Sequence, residues 1–416
     1  MSLKWKVRNE LAKRSRVMKT IIDSAAFRKN RKRYDKQAVN PIQDNAVVFM
    51  SFMGNKYADS PRAIYEYMLN SAEYNSYEFY WFFKNPEKYK FLENNSRTKV
   101  YKYNSDDHYR YYATAKYWIT NSRVPDVIPI RQEQVYLQCW HGTPLKRLGF
   151  DVKVEGANAK YTPADVSRQY EIDAMKYTYM TSPSRFCTEK FISAFGLDRH
   201  GKEDIIIEEG YPRNDFLSNY TDEDYCRIKK QLSIPEDKKV ILYAPTWRDN
   251  QHTSGVGYVY KDEINFSNLI KELGDEFIIL FRAHYFVANS FDFEKYEGYI
   301  IDVSSYDEIN DLYVVSDMLI TDYSSVFFDY AILKRPIVFY MYDLEMYRDD
   351  VRGFYISLEE LPGSIITKEN ELTDAIKNGI NEGIDKKYEA FNAKYNYLDD
   401  GGACKRVTDI VFGRTE

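Results

Sequence analysis

Short apolar runs alternate with polar stretches of helical length along most of this chain. Twelve runs read as strands, and many are continuously apolar instead of alternating between apolar and polar residues. A continuously apolar strand is typical of a parallel sheet covered by helices on both faces. The alternation predicts βαβ units, and 416 residues leave room for two domains of this kind.

The predicted strands fall into two sets on either side of a Gly- and Pro-containing segment at 210–215. The first set is 46–52, 78–83, 99–102, 117–120, 135–140, 177–182 and 204–208. The second set is 240–245, 277–282, 298–302, 317–321 and 336–340. We therefore predict an α/β protein with an N-terminal domain at 41–215 and a C-terminal domain at 216–416. Two C-terminal helices, 368–379 and 402–412, are expected to pack across the boundary.

Positive charge is concentrated at the start of the chain. Residues 1–40 contain 13 Lys and Arg against three Asp and Glu, and the remainder carries a net charge of −15. A stripe of apolar residues at helical spacing runs through this basic segment: Leu3, Val7, Leu11, Met18 and Ile22. This pattern predicts a basic amphipathic helix on an anionic membrane surface, with a solvated basic arm as the alternative. The acidic remainder argues against nucleic acid as a partner.

Other compositional features exclude several classes of protein. No run of about 18 apolar residues is present, so the sequence predicts no membrane-spanning helix. The four cysteines are widely spaced without a Cys-x-x-Cys pair, which indicates reduced thiols in a cytosolic setting. Five histidines without ligand spacing predict no bound metal and no resident cofactor.

A histidine follows directly after the predicted strand 135–140. Residues 139–146 read Cys-Trp-His-Gly-Thr-Pro-Leu-Lys, so His141 lies at the carboxyl end of a strand, where open α/β sheets bind ligands. Gly142 permits close approach of backbone to a substrate, and Thr143 and Lys146 offer contacts to an acceptor or a phosphate. Imidazole suits general base catalysis near neutral pH. A core histidine with satisfied hydrogen bonds is the alternative.

Two strand ends of the second set carry cationic groups. Thr246 and Arg248 follow the strand 240–245, and both can donate to phosphate oxygens. Arg282 ends the strand 277–282, and His284 follows two residues later, so both side chains point to one side if the extended backbone continues. A cation beside an imidazole suits a diphosphate. Surface arginines and an unrelated loop histidine are the alternatives.

The strand 317–321 leads into a predicted helix at 326–333. Ser324 is expected to cap this helix, so that free N–H groups, the helix dipole and the hydroxyls of Ser324 and Ser325 form an anion site. Asp329 lies one turn into the helix, where its carboxylate can accept from ribose hydroxyls. Simple capping and an exposed carboxylate are the alternatives. Together the strand ends favour a nucleotide-diphosphate donor in a cleft between the domains.

The combination of these segments resembles the CDP-glycerol glycerophosphotransferase family of teichoic acid synthesis. The resemblance covers about 45–412 and extends to Arg213, Asn214 and Asp215 and to Asp400-Gly401-Gly402 with Arg406. It implies a GT-B-like fold, in which two Rossmann-like domains enclose a cleft. It also implies transfer of an alditol phosphate from a CDP-alditol to a hydroxyl of a polyprenyl-diphosphate-linked acceptor, with release of CMP. The implied location is the inner face of the cytoplasmic membrane.

The resemblance also implies roles for individual residues. His141 corresponds to the proposed general base and His284 to a histidine on the donor diphosphate. Ser324, Ser325 and Asp329 fall on the donor-binding helix start, and the segment 213–215 falls near the nucleotide. One departure is Tyr285, because the family often has proline after its second histidine.

Two other classes of function remain open at this stage. A GT-B glycosyltransferase that uses a nucleotide sugar is the main alternative, and a non-catalytic nucleotide-binding scaffold is the second. The sequence leaves open glycerol versus ribitol, one added unit versus many, the acceptor polymer and the oligomeric state.

Overall fold

Seven parallel strands form the first sheet of the structure, a computed structural model that describes residues 16–153, 162–246, 252–253, 257–258, 264–283, 291–345 and 353–414. The strands are β1 (Gln43–Met50), β2 (Glu78–Phe83), β3 (Thr98–Lys102), β4 (Ala115–Thr120), β5 (Val135–Gln138), β6 (Tyr179–Ser182) and β7 (Ile206–Glu208). Their order is β3-β2-β1-β4-β5-β6-β7. The order reverses between β1 and β4, which is the doubly wound arrangement of a Rossmann-like domain.

The second sheet has six parallel strands in the corresponding order. Along the chain follow β8 (Lys239–Ala244), a short antiparallel hairpin of β9 (His252–Thr253) and β10 (Gly257–Tyr258), then β11 (Phe277–Phe281), β12 (Ile300–Asp302), β13 (Met318–Thr321), β14 (Ile337–Tyr340) and β15 (Ser364–Ile366). The sheet order is β12-β11-β8-β13-β14-β15, so the order reverses between β8 and β13. The prediction of two parallel α/β sheets is confirmed.

Helices cover both sheets. They are α1 (Arg16–Ala38), α2 (Asp59–Asn70), α3 (Asp106–Thr114), α4 (Pro163–Ala174), α5 (Arg185–Phe195), α6 (Asp215–Asn219), α7 (Asp222–Gln231), α8 (Phe266–Leu273), α9 (Ile309–Val315), α10 (Val326–Tyr330), α11 (Leu372–Glu382), α12 (Lys386–Tyr395) and α13 (Ala403–Val411). Local sequence explains several starts. The Thr221 hydroxyl and the Asp224 carboxylate form a capping box before α7, for example.

Each sheet is buried on both faces, as its continuous apolar strands require. In β1, Val47 and Phe49 belong to the apolar cluster on one face, and Val48 and Met50 belong to the cluster on the other. The second sheet likewise lies between two apolar clusters. Both faces of a central strand therefore contribute to the core.

The predicted strand ends differ from the structure where the backbone turns sharply. The strand predicted at 135–140 ends at Gln138, and Trp140 adopts a φ of +52° that an extended strand excludes. The strand predicted at 46–52 ends at Met50, and Phe52 has a φ of +47°. The sequence analysis did not predict the helix α12 or the edge strand β15. A three-residue strand between polar residues, such as β15, has no clear apolar signal.

The C-terminal helix crosses back to the first sheet. Val407 and Val411 of α13 lie in the apolar cluster of the first sheet, and Phe412 packs edge-on against Tyr74 and Tyr77. By contrast, Ile376 of α11 packs on the second sheet. Only the second of the two expected helices therefore packs across the boundary, and residues 403–412 lie on the N-terminal sheet although the sequence assigned them to the C-terminal domain.

The end of the basic N-terminal segment is packed onto the first domain. Tyr34 is 1% exposed and donates to the Pro129 carbonyl at 2.8 Å. Arg33 pairs with Asp106 at 2.8 Å and stacks on the Tyr109 ring. Leu3, Val7 and Leu11 of the predicted apolar stripe lie outside the described residues, so the amphipathic character of the segment stays a prediction. Within the described residues, no helix is long and apolar enough to cross a bilayer.

Candidate active site

The carboxyl ends of strands from both sheets face one cleft. Its N-terminal wall consists of the loops after β1 and β5, and its C-terminal wall of the loops after β8, β11, β12 and β13. This is where a doubly wound sheet binds ligands, because the strand order reverses there. The cleft has two adjoining lobes. The Trp140 lobe, of about 450 Å³, is lined by Trp140, Lys146, Thr246, Tyr323 and Ser324, among others. The Lys56 lobe, of about 660 Å³, is lined by Phe52, Lys56, Asp59, Arg213 and Asp307, among others.

His141 lies at the junction of the two lobes and lines both of them. Its Nδ1 is 3.0 Å from the Asn121 carbonyl oxygen, which can only accept, so Nδ1 carries the proton. Within the described residues Nε2 makes no hydrogen bond. The Trp140 ring stacks on the imidazole with centroids 4.4 Å apart. The ring is therefore oriented with an unprotonated Nε2 available to a ligand.

The environment of His141 favours the neutral imidazole. His141 keeps solvent access through the cleft. The protein packed around the ring still desolvates it in part, and this lowers the pKa of His141 below its ordinary value of 6.5. The Asp59 carboxylate and the hydrogen bond to Asn121 oppose the shift, and the Arg213 charge adds to it. The net direction is downward, so His141 is unprotonated at neutral pH and can act as a base.

Backbone strain is concentrated in the N-terminal wall. Phe52, Asp59 and Trp140 have φ values of +47°, +65° and +52°, and all three line the cleft. Non-glycine residues rarely adopt this left-handed region, and such residues persist where surrounding contacts hold them. The Asp59 amide donates to Glu308 of the opposite wall at 2.9 Å, and the Phe52 amide donates to the Asn121 side chain at 2.8 Å.

The two walls approach each other closely at Gly142. A Cβ atom on Gly142 would lie 3.1 Å from the Ser325 hydroxyl oxygen, tighter than most such contacts. Four residues further along, Lys146 lines the Trp140 lobe and forms an antiparallel bridge with Phe354 of the C-terminal wall. Thr143 is buried beside the Cys187 thiol. The absence of a side chain at Gly142 thus lets the N-terminal wall approach Ser325 of the C-terminal wall. The predicted close approach of Gly142 to a substrate stays a prediction.

The end of β8 is tied to the end of β13. The Thr246 amide donates to Asp322 Oδ1 at 2.8 Å, and the Tyr323 amide donates to the same oxygen at 2.6 Å. Asp322 is buried, and its carboxylate joins the two loops at the point where the strand order reverses. Thr246 lines the Trp140 lobe. Arg248 lies outside the described residues, and its predicted donor contact stays a prediction.

The helix after β13 begins at Val326, as predicted, but its N-cap residue differs from the predicted one. Ser325, not Ser324, occupies the N-cap position of α10, and its side chain makes no capping hydrogen bond. The hydroxyls of Ser324 and Ser325 are partly exposed in the cleft and make no hydrogen bond within the described residues. The helix is a short one of five residues, continued by a 3₁₀ turn. Both hydroxyls are thus available to an oxyanion.

Arg282 extends from the end of β11 into both lobes. Its Nη1 donates to the Val303 and Tyr306 carbonyl oxygens at 3.2 and 3.0 Å. Burial lowers the pKa of the guanidinium from 12.5, which leaves it a cation at neutral pH. Neutral carbonyls orient the group without cancelling its charge. His284 lies outside the described residues, so its predicted contact with the diphosphate stays a prediction.

Asp329 and Arg213 form a buried ion-pair network between the two walls. Arg213 is 4% exposed, and its guanidinium contacts Asp329 at 2.9 Å and Asp59 at 3.4 Å. Asp329 Oδ1 also accepts from Asn214 Nδ2 at 3.1 Å. The sequence predicted that Asp329 accepts from ribose hydroxyls, with an exposed carboxylate as the alternative, and the donor contact stays a prediction. The structure buries Asp329, and its acceptors are directed to Arg213 and Asn214 instead of open solvent.

Asp215 lies away from both lobes, at the start of α13. Its two carboxylate oxygens accept from the Ala403 and Cys404 amides at 2.8 and 2.7 Å. A carboxylate at a helix N terminus satisfies free N–H groups and interacts favourably with the helix dipole. The predicted contact of this residue with the donor therefore has no geometric support, and its observed contacts join the link at 210–215 to the last helix.

The sequence analysis missed two residues that line the cleft, Lys56 and Asp59, and the residue that orients His141, Asn121. Lys56 and Asp59 follow β1, and Asn121 follows β4, so they flank the point where the first sheet reverses its order. A signal was present, because Gly54-Asn55-Lys56 follows a buried strand as His141-Gly142 does. The sequence cannot reveal that the Asn121 backbone carbonyl orients His141, since every residue carries one.

Comparison with known proteins agrees with this geometry. Residues 33–413 match the family described as CDP-glycerol:poly(glycerophosphate) glycerophosphotransferase. The chain is 41% identical over 411 residues to the teichoic acid poly(glycerol phosphate) polymerase of Staphylococcus epidermidis, covering 97% of this chain and 55% of that protein. It is 39% identical over 377 residues to the teichoic acid glycerol-phosphate transferase of Staphylococcus aureus, covering 88% and 93%. It therefore spans about half of the former and nearly all of the latter.

A solved structure shares the fold over the full length. The wall teichoic acid polymerase TagF superposes with a TM-score of 0.83 at 36% identity, covering 99% of this chain and 98% of that one. This match establishes the GT-B-like arrangement of the two parallel sheets. The chain therefore belongs to the CDP-glycerol:poly(glycerophosphate) glycerophosphotransferase family.

Proposed function

We propose that this protein transfers glycerol phosphate from CDP-glycerol to a hydroxyl of a polyprenyl-diphosphate-linked acceptor and releases CMP. The observation that carries the proposal is the position of His141, a neutral imidazole with Nε2 open to the cleft, at the junction of the two lobes. A base in this place reaches an acceptor hydroxyl in one lobe while a donor phosphorus lies at the junction.

The cleft offers a side chain for each step of the proposed transfer. His141 Nε2 removes the proton of the acceptor hydroxyl as the oxygen attacks the phosphorus nearest the glycerol. The bond from that phosphorus to the bridging oxygen breaks, and CMP leaves. Arg282 and the hydroxyls of Ser324 and Ser325 hold the diphosphate and stabilise the charge that develops on it. Positioning and electrostatics of this kind account for most of catalysis in phosphoryl transfer.

Glycerol is favoured over ribitol by the pattern of similarity. The relatives named for glycerol phosphate polymerisation or transfer include proteins 38–41% identical to this chain. Those named for ribitol phosphate polymerisation are 29–31% identical. Because the glycerol and ribitol enzymes belong to one family, we expect side chains in the cleft to select between the two alditols.

The same geometry supports an assignment of the two walls to the two substrates. The C-terminal domain, 216–416 without α13, holds the CDP-glycerol, because its wall supplies the Arg282 guanidinium and the hydroxyls of Ser324 and Ser325. The N-terminal domain, 41–215, holds the acceptor beside His141.

Membrane attachment is part of the proposal and rests on the basic segment. Helix α1 exposes Phe27 together with the basic residues Arg28, Lys29, Lys32 and Lys36. An exposed aromatic ring among basic side chains suits the anionic inner face of the cytoplasmic membrane. Co-sedimentation with phosphatidylglycerol vesicles is expected to exceed that with phosphatidylcholine vesicles and to fall as salt rises. Equal binding to both vesicles would contradict this part.

The decisive experiment compares donors. Purified protein is incubated with a lipid-linked acceptor and with CDP-glycerol, CDP-ribitol or a UDP-sugar, and released nucleotides are separated by chromatography. We expect CMP from CDP-glycerol, less CMP from CDP-ribitol and no UDP. Release of UDP with transfer of the sugar would establish the glycosyltransferase alternative instead. Folded protein that releases no CMP with any acceptor would refute the proposal.

A further inference from the structure

Two cationic side chains from opposite walls converge on a single neutral oxygen in the Lys56 lobe. Lys56 Nζ donates to the Tyr306 carbonyl oxygen at 3.2 Å, and Arg282 Nη1 donates to the same oxygen at 3.0 Å. The two nitrogens therefore lie at most about 6 Å apart, a range in which like charges repel strongly in a partly buried site. Lys56 belongs to the loop after β1 and Arg282 to the loop after β11.

Lys56 and Arg282 lack a directly paired carboxylate among the residues that the structure describes. The two acidic residues that act electrostatically on both cations have hydrogen-bond partners of their own. Asp307 binds Lys88 and the Tyr89 hydroxyl, each at 2.8 Å. Glu308 accepts from the Asp59 and Asn310 amides at 2.9 and 3.2 Å.

The electrostatic consequence is visible in the lysine itself. Burial, with the Arg282 charge as the next contribution, lowers the pKa of Lys56 from 10.5 to about 8. Asp307 and Glu308 oppose this shift without cancelling it. A partly desolvated pair of cations without a counter-charge is unfavourable unless an anion joins it.

The loop that carries Lys56 is held in place. Met53 and Gly54 have φ values of +54° and +77°, and a side chain at Gly54 would meet the Phe82 carbonyl oxygen at 2.9 Å. An isolated bridge between Ser51 and Lys56 closes the loop. The ammonium is therefore presented by a constrained backbone, which limits the entropy lost when it binds a ligand.

We propose that Lys56 and Arg282 form a phosphate-binding subsite in the Lys56 lobe, next to His141. The inference rests on the proposed function and adds to it Lys56, a recognition residue that the sequence analysis did not select. An oxyanion between the two groups accepts from Nζ and from the guanidinium, removes their mutual repulsion and links the two walls. The ligand is a phosphate group, carried either by the donor diphosphate or by a phosphodiester at the end of the acceptor.

The test compares Lys56→Met and Lys56→Arg with Lys99→Met, in which an exposed lysine of β3 is replaced. KM is measured for CDP-glycerol and for two synthetic lipid-linked acceptors that differ only in whether a glycerol phosphate unit ends the chain. Loss of a charge-assisted hydrogen bond predicts a rise of about 10-fold to 100-fold in one KM for Lys56→Met. Lys56→Arg should recover most of it, and Lys99→Met should match wild type.

The outcomes assign the source of the phosphate. A raised KM for CDP-glycerol identifies the donor diphosphate. A raised KM only for the acceptor that ends in glycerol phosphate identifies the acceptor, and the protein then prefers chains that already carry such a unit. Unchanged KM values for all three substrates, or a fall confined to kcat, overturn the subsite. If Lys56→Met does not fold, Lys56→Gln takes its place.

A second measurement separates this inference from the proposed function. Inorganic phosphate is titrated into wild-type protein and the variants while the thermal midpoint is followed. We expect phosphate to stabilise wild type and Lys99→Met, and to stabilise Lys56→Met clearly less. This result supports the subsite even when no CMP is released. Equal stabilisation of all three proteins contradicts it even when transfer is normal.

Discussion

The two walls of the cleft are built from the same βαβ unit but present opposite kinds of surface. The N-terminal wall holds His141 between the Asn121 carbonyl and the Trp140 ring, on backbone with positive φ values. The C-terminal wall presents the Ser324 and Ser325 hydroxyls, which make no hydrogen bond within the described residues. The N-terminal wall thus holds its imidazole in a fixed orientation, and the C-terminal wall leaves its serine hydroxyls available to a ligand.

This difference indicates a division of labour within one fold. A base must be held at a set distance and in one tautomer, which requires packing and a fixed hydrogen bond. A diphosphate needs donors that can exchange water for the ligand, which the two serine hydroxyls provide. Arg282 is oriented by two neutral carbonyl oxygens and keeps its charge for the ligand. The buried network of Arg213, Asp59 and Asp329 joins the walls and sets their spacing.

The largest effect is expected from removing the base of the N-terminal wall. His141→Ala should lower turnover by about 10²–10⁴-fold, because general base catalysis contributes in this range. The thermal midpoint should stay close to wild type, since the ring faces the cleft. CMP release and thermal unfolding measure the two effects. His200→Ala, which removes a surface histidine paired with Glu171, is the matched control. Near-normal turnover of His141→Ala would show that another group is the base.

Removing the cation of the buried ion-pair network between the walls should mainly affect stability. Arg213→Met leaves Asp59 and Asp329 buried without their cation, which is expected to cost about 3–5 kcal/mol of unfolding free energy. Denaturant unfolding gives the value. Arg185→Met removes an exposed pair with Glu189 and should change stability by less than about 1 kcal/mol. If Arg213→Met keeps its stability but loses affinity for CDP-glycerol, Arg213 binds CDP-glycerol and does not serve mainly to hold the two walls together.

Widening the contact between the walls should reduce activity without unfolding the protein. In Gly142→Ala, the new methyl group meets the Ser325 hydroxyl, which must shift by a few tenths of an ångström. We expect turnover to fall by about 10-fold, because small displacements of reacting groups are costly. In the background of Ser325→Gly the same change should have less effect, since the hydroxyl is gone. Equal losses in both backgrounds would exclude this contact as the cause.

The pH dependence tests the electrostatics of the N-terminal wall. Since His141 acts as the neutral imidazole and its pKa is lowered, kcat/KM should be flat near pH 7 and decline only below pH 6.5. Asp59 raises the pKa of His141, so Asp59→Asn should move this acidic limb to still lower pH. Profiles of wild type and Asp59→Asn with CDP-glycerol provide the comparison. A limb that moves to higher pH in Asp59→Asn would contradict the assignment.

The smallest effect is expected outside the cleft. Asp215→Ala removes two hydrogen bonds from the start of α13 and should cost about 0.5–2 kcal/mol, as helix caps do. KM for CDP-glycerol should not change, because the side chain reaches neither lobe. Asp215→Asn, which keeps one acceptor oxygen, should lose less. A KM increase in the absence of destabilisation would restore the donor contact that the sequence resemblance implies.

Much of the architecture was predictable from local patterns. Each of the twelve predicted strands corresponds to an observed strand, because a strand buried on both faces needs a continuous apolar run such as 277–281. Prediction failed at Trp140 and Phe52, whose positive φ values depend on contacts made by distant residues. It failed also for the short edge strand β15.

Within the site, the sequence alone determined which strand ends carry chemistry. His141, Thr246, Arg282 and Ser324 could be identified because polar groups after apolar strands must collect at one edge of a parallel sheet. Only the tertiary structure decided what each group does there. Asp329 and Asp215 have identical side chains, yet Asp329 is buried against Arg213 and Asp215 caps α13. Lys56 joins Arg282 only because two separate sheets face each other, and contacts between separate domains depend on packing that local sequence does not encode.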